Sequence, residues 1–267
     1  QWLIDQPVRG TMAFHYGQFE VDEVSLDGLP SISIYANRHH RGFSPGAREK
    51  TLEDLIGSIR TYSSYFGPYP FDSLLVTETQ NSGGQAFPGL VLLTFQAFGG
   101  LHTGEEELFR SHEVAHQWFG NCVTEYDWDD VWLSEGFATY FTLMFREHAY
   151  GRDDFVQGLL NAKDRVFDFY EKDKNASIVH DNLKDMKDVL TYSLQYQKGA
   201  WVLHMLRNYV GEEAFRKGIR NYYNKYFNSN TTTEEFKAEI ENASGLDLDT
   251  FFNQWLYNGG NIILDGV

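Results

Sequence analysis

His112 to Glu135 reads HEVAHQWFGNCVTEYDWDDVWLSE, and this stretch decides what kind of chain it is. His112 and His116 stand four apart, which on a helix sets both imidazoles on one face and lets them meet one ion. Glu113 sits beside the first histidine and can face water at that ion without binding it. Eighteen residues separate His116 from Glu135. Two imidazoles and a carboxylate suit zinc, with a fourth position left for water or substrate. The bland alternative is a chance H-E-x-x-H on a buried helix, and the spaced Glu135 counts against it.

Local signals place both ligand groups on helices. Thr103 with Glu106 makes a capping box, and Glu105, Glu106 and Glu107 load the first turn with anions that the helix dipole favours. Leu108, His112, Ala115 and Phe119 share a face, and Gly120 is the expected stop. A second helix is expected from about Asp129 or Asp130, carrying Glu135 and burying Phe137, Tyr140, Phe141, Met144 and Phe145 before Gly151.

Upstream, Met12–Tyr16 and Ser31–Tyr35 alternate as strands do, with Asp27-Gly28 as a turn between them. Ser44-Pro45 opens a helix marked by Leu52, Leu55, Ile56, Ile59 and Tyr62 and stopped by Gly67-Pro68. Phe71–Thr79 and Leu90–Thr94 read as strands. Gly83, Gly84, Gln85 and Ala86 lie between them, and their glycines admit a peptide backbone laid along a strand edge.

Downstream the chain reads as helices. Phe155, Leu159, Ala162, Val166 and Phe169 make one apolar face, and Trp201, Met205, Leu206 and Tyr209 a second. Phe215, Ile219, Tyr222 and Tyr226 make a third, and Thr232 with Glu235 caps a fourth before Phe236 and Ile240. Strands first, then two metal helices, then a helical remainder is an α+β order.

The 267 residues are 42% hydrophobic and 16% aromatic, enough for a packed core. Net charge is −16, which disfavours nucleic acid and anionic membranes as partners. No apolar run reaches the eighteen or so residues of a membrane span. No signal peptide is visible and the chain begins at Gln1, so its compartment is not readable. The single Cys122 can form no internal disulfide and reads as a small core residue.

The run HEVAHQWFGNCVTEYDWDDVWLSEGFATYF resembles the zinc segment of the membrane alanyl aminopeptidase family, which includes leukotriene hydrolase. These are gluzincins, whose third ligand is a glutamate nineteen residues after the second histidine. Tyr65–Phe71, Pro88–Leu90 and Tyr196–Ala200 fit the same family, so the resemblance covers about residues 30 to 260. It implies a thermolysin-like zincin catalytic domain over 43–267, preceded in 1–42 by the tail of an amino-terminal β region. It implies one zinc per chain on His112, His116 and Glu135, a peptide substrate, Glu113 as general base, and Tyr196 as donor to the oxyanion. Tyr196 is one of sixteen tyrosines, and Tyr192 is its decoy four residues earlier.

The chain departs from the family at one point. Where the family reads G-x-M-E-N, this chain has Gly83-Gly84-Gln85-Ala86-Phe87, with Ala86 in place of the glutamate that holds a substrate's free amine. Glu78 and Gln80 lie just upstream as possible replacements. Three readings follow: an aminopeptidase-family enzyme with an altered amine anchor, a zinc endopeptidase or blocked-peptide hydrolase, and a non-catalytic binding domain. The intact base beside the metal ligands argues against the third.

Overall fold

Ile32 and Ile34 turn into a core from strand β2 (Ser31–Ala36), and the rest of the first sheet is assembled around that strand. The computed structural model describes residues 7–37, 39, 46–98, 106–180 and 191–260. The described chain mixes helices and strands and forms two compact units. One holds the chain up to Val123 with Phe227–Ser229, and the other holds Thr124–Tyr226 and the chain from Asn230.

In the first unit, β1 (Glu20–Val24), β2, β3 (Ser73–Thr79), β4 (Gly84–Phe87) and β5 (Leu90–Thr94) form a sheet of order β1-β2-β3-β5-β4. The β2–β3 and β3–β5 pairs are parallel, while β1 and β4 run antiparallel to their neighbours. Helix α1 (Ala47–Phe66) buries Leu55, Ile59, Tyr62 and Phe66, each contributing about 1.5–3 kcal/mol of hydrophobic stabilisation. Gly67 ends it at φ 117°, its amide bonded to Ser63 O. Helix α2 (Glu106–Ala115) packs on α1, and the Phe66 ring lies 4.8 Å from Phe119 and 5.8 Å from Trp118.

In the second unit, α3 (Trp132–Tyr150) is followed by α4 (Arg152–Tyr170), α5 (Gly199–Val210), α6 (Glu212–Lys225), α7 (Thr233–Ser244) and the short α8 (Asp249–Phe252). Strands β6 (Val123–Glu125) and β7 (Ser229–Thr231) pair as a two-stranded ribbon. The Thr232–Glu235 capping box forms as the sequence predicts. No helix among the described residues is long and apolar enough to cross a membrane.

Several expectations change. Met12–Tyr16 forms no strand, and Met12, Phe14 and Tyr16 lie exposed, since alternation makes a strand only where a neighbour supplies hydrogen bonds. The glycine-rich segment before β5 contains β4, the edge of the sheet. Regular helix in α2 ends at Ala115, before Gly120, because the Gln117 and Trp118 amides bond three residues back, to Val114 O and Ala115 O. On α5 the buried face is Ala200, Val202, Leu203 and Leu206, while Trp201, Met205 and Tyr209 line a groove on the other side. The Ser44-Pro45 start, the Thr103 cap and Glu105 lie outside the described residues.

Candidate functional site

α2 is held before it presents anything. Arg110, almost wholly buried, donates from Nε to Asp54 Oδ2 at 2.9 Å and from Nη2 to the same oxygen at 2.5 Å. Its Nη1 donates to Ala97 O, and Tyr62 on α1 donates to Ser111 O at 3.1 Å. A buried ion pair of this kind costs about 3–5 kcal/mol to break from one side, so α2 is fixed against α1 just ahead of His112.

His112 and His116 come together as the spacing requires. Their rings stand edge to face with centroids 4.7 Å apart, and the two Nε2 atoms are 3.1 Å apart. His116 Nδ1 lies 3.0 Å from Phe119 O. A carbonyl can only accept, so the proton sits on Nδ1 and Nε2 offers a lone pair towards His112. Two zinc ligands about 2.05 Å from the ion at tetrahedral angles lie about 3.3 Å apart. The separation and the fixed tautomer therefore fit a tetrahedral zinc ion.

Glu113, 5% exposed, lies against the first residue of β4. A Cβ placed on Gly84 would come within 2.4 Å of Glu113 Oε1, so glycine is what leaves room for this carboxylate. Gly83, at φ +88°, precedes it, and its carbonyl accepts from Thr94 N at 2.8 Å. Gln85 pairs with Leu92 and Ala86 with Val91 along the edge strand. Glu78 lies in the same row as Gly84, both opposite Leu93, and is buried.

In the second unit the start of α3 is anchored by a buried network. Asp127 caps the preceding 3-10 turn through Asp129 N. Asp130 Oδ1 accepts from Thr233 N at 3.0 Å and from Thr233 Oγ1 at 2.5 Å, while Trp132 Nε1 donates to Thr233 Oγ1 at 2.8 Å. Burial pushes the Asp130 carboxyl above its ordinary pKa, against the pull of those bonds. Glu135, half-buried, follows in the first turn of α3.

Gly136 comes next, and it touches the segment that carries Tyr196. An added Cβ at Gly136 would stand 3.1 Å from Gln195 O and 3.1 Å from Gly199 Cα, and one at Gly199 would stand 3.0 Å from Gly136 Cα. Two glycines thus bring α3 and the chain before α5 into backbone contact. That chain, Tyr192–Lys198, is a π-helical turn, a widening that recurs at functional sites. Tyr196 is half-buried and its ring lies 5.2 Å from that of Tyr192, which is the more exposed of the two. Lys198, 4% exposed, donates to Tyr170 OH at 2.6 Å, and burial lowers its pKa to about 8.

Sequence reasoning missed the Gly84–Glu113 and Gly136–Gly199 contacts, Arg110, Asp130, and Gln117, whose bonds are described below. An arginine, Arg110, two positions before a ligand on the expected helix was the one visible signal.

A family model described as the peptidase family M1 domain matches residues 103–255. The chain belongs to peptidase family M1. M1 relatives include probable aminopeptidase 2 of Sulfurisphaera tokodaii, 34% identical over 96% of this chain and 34% of that protein. Aminopeptidase N of Lactococcus lactis subsp. lactis is 30% identical over 93% of this chain and 30% of its own length. Tricorn protease-interacting factor F2 of Thermoplasma acidophilum is 30% identical over 81% and 29%. The chain spans about a third of the length of these curated relatives. A crystal structure of a mutant M1 zinc metallopeptidase from Deinococcus radiodurans, bound to a Tyr-Ser-Ala substrate, matches with a TM-score of 0.70. Identity there is 23%, over 92% of this chain and 53% of that one, and the likeness shows the fold.

Proposed function

We propose that this chain is the catalytic domain of a zinc metallopeptidase, of thermolysin-like zincin fold over 43–267, with 1–42 as the tail of an amino-terminal β region. One zinc is held by His112, His116 and Glu135. When bound, zinc supplies a Lewis acid that polarises a scissile carbonyl and acidifies water. Glu113 takes the proton of the attacking water and returns it to the leaving amine. Tyr196 donates a hydrogen bond from its hydroxyl to the oxyanion. A peptide substrate lies along β4, whose outer edge carries no strand of the described sheet. The observation that carries the reading is the His112–His116 nitrogen pair at 3.1 Å, with Glu113 buried beside it against that strand.

Within that chemistry the enzyme is an aminopeptidase-family hydrolase with an altered amine anchor. Ala86 stands where the family places the glutamate that holds a free amino terminus. A buried carboxylate would penalise blocked peptides, since its charge would be left unpaired, and alanine imposes no such penalty. The same observation favours a second reading, cleavage inside a chain.

Metal analysis and digestion of matched free and N-acetylated peptides test both. One zinc per chain, lost in His116→Ala, is expected, with free and acetylated substrates differing in kcat/KM by less than about a hundredfold. A reconstituted chain without zinc overturns the metal site. A larger preference for the free amine means that another acid anchors it, with Glu78 the first to replace.

A further inference from the structure

The segment that carries His112 and His116 carries a second i, i+4 pair, one residue on. Glu113 and Gln117 both meet β4, Glu113 at its first residue and Gln117 at its far end. Gln117 is fully buried. Its Oε1 accepts from Gly89 N at 2.9 Å and from Tyr69 OH at 3.2 Å, and its Nε2 donates to Phe87 O at 3.1 Å. Those bonds hold both sides of the turn that joins β4 to β5.

We infer that Gln117 is a positioning residue that fixes the edge strand β4 against the Glu113 carboxylate, and so sets the register of a peptide substrate to its general base. The inference rests on the metallopeptidase reading above. Its physics is that of a buried amide with partners on both ends. Gly89 N–H and Phe87 O have their bonds to the fully buried Gln117, and no apolar side chain can replace them. The contact at Gly84 is tight enough to be sensitive, since a single added carbon would collide with the base. A strand released at Phe87 and Gly89 is free to move away from Glu113 while the imidazole pair stays on its own turn.

The test uses Gln117→Met and Gln117→Glu in the full chain, assayed on a tetrapeptide or longer and on a short aminoacyl anilide that makes little use of the strand. In Gln117→Met, KM for the long peptide should rise by about tenfold, the worth of roughly one buried hydrogen bond, and kcat should fall as the register to the base is lost, with zinc content unchanged. The anilide should be affected much less. Gln117→Glu keeps both accepting contacts but sets a carboxylate oxygen against Phe87 O, where two acceptors repel, so its KM should rise at least as far as that of Gln117→Met. Amide exchange at Gly89 should be faster in Gln117→Met, and it reads the clamp without any turnover. An unchanged KM for the long peptide, an equal rise for both substrates, or unaltered exchange at Gly89 would each overturn the inference. An active wild type with indifferent Gln117 variants sinks this inference alone, whereas a wild type that hydrolyses nothing sinks the function on which it rests.

Discussion

Replacing Gly84 by alanine moves the proposed base without disturbing the backbone. Gly84 is not among the positive-φ glycines, so alanine can adopt its conformation. The new Cβ would stand 2.4 Å from Glu113 Oε1, 2.6 Å from Cγ and 2.7 Å from Cδ. Ordinary contact begins at 3.4 Å, so the carboxylate must retreat by 3.4 − 2.4 = 1.0 Å. The group that yields is the end of a flexible side chain, so folding stability should change little, and alanine in place of glycine favours it by about 0.4–1 kcal/mol. Catalysis is less forgiving: a displacement of about 1 Å at a reacting group costs about a hundredfold in rate, or roughly 2.7 kcal/mol. The assay is kcat on a peptide substrate beside a thermal melt and a zinc determination. Gly83→Ala is the control, for its φ of +88° strains alanine while its added Cβ meets nothing within 4 Å. That variant should lose stability and keep kcat. Wild-type turnover in Gly84→Ala, or equal losses of kcat in the two variants, would refute the reasoning.

Glu113→Gln should retain zinc and lose nearly all hydrolysis, because an amide of the same size cannot accept the proton; metal content and turnover measured on one preparation check it. Tyr196→Phe should slow kcat by about a hundredfold, the worth of one oxyanion donor, while Tyr192→Phe stays mild, and a reversed order would move the donor to Tyr192. Lys198 titrates at about 8 when folded and at 10.5 as a free side chain. Between those values the unfolded chain binds more protons, so Lys198 should make stability rise with pH, by up to about 3 kcal/mol. Denaturant melts at pH 7.5 and pH 10 should show that rise in the wild type and not in Lys198→Met. Tyr170, raised to about 12 by burial, acts with the opposite sign as pH nears its ordinary 10, and the comparison with Lys198→Met separates the two.

What could be read ahead of the structure was whatever depends on residues near one another in the chain. The i, i+4 histidines, the Thr232–Glu235 box and Gly151 after α3 all hold because a helix face or cap is a local property. What could not be read depends on a distant partner. Met12–Tyr16 has the alternation of a strand without an opposing one, whereas β4 lacks a strand's composition and forms because β5 turns back onto it. Trp201, Met205 and Tyr209 are amphipathic enough to sit on either side of α5, and only the packed neighbours decide. Gln117 follows the metal motif without any pattern of its own, and its three bonds reach 28 to 48 positions back along the chain.

The meeting of Gly136 with Gly199 bears on how such a chain can be altered over generations or at the bench. Where two helices touch through side chains, every change of volume in the layer shifts them, and anything mounted on them drifts. Here main chain rests on main chain, and the turn bearing Glu135 and the turn bearing Tyr196 are gauged by atoms that no substitution elsewhere can enlarge. The aromatic interior around Phe137, Phe141 and Phe236 can then be redrawn for heat or cold tolerance without retuning the chemistry. Variation should accumulate there, while two positions with no functional group at all stay closed to every other amino acid.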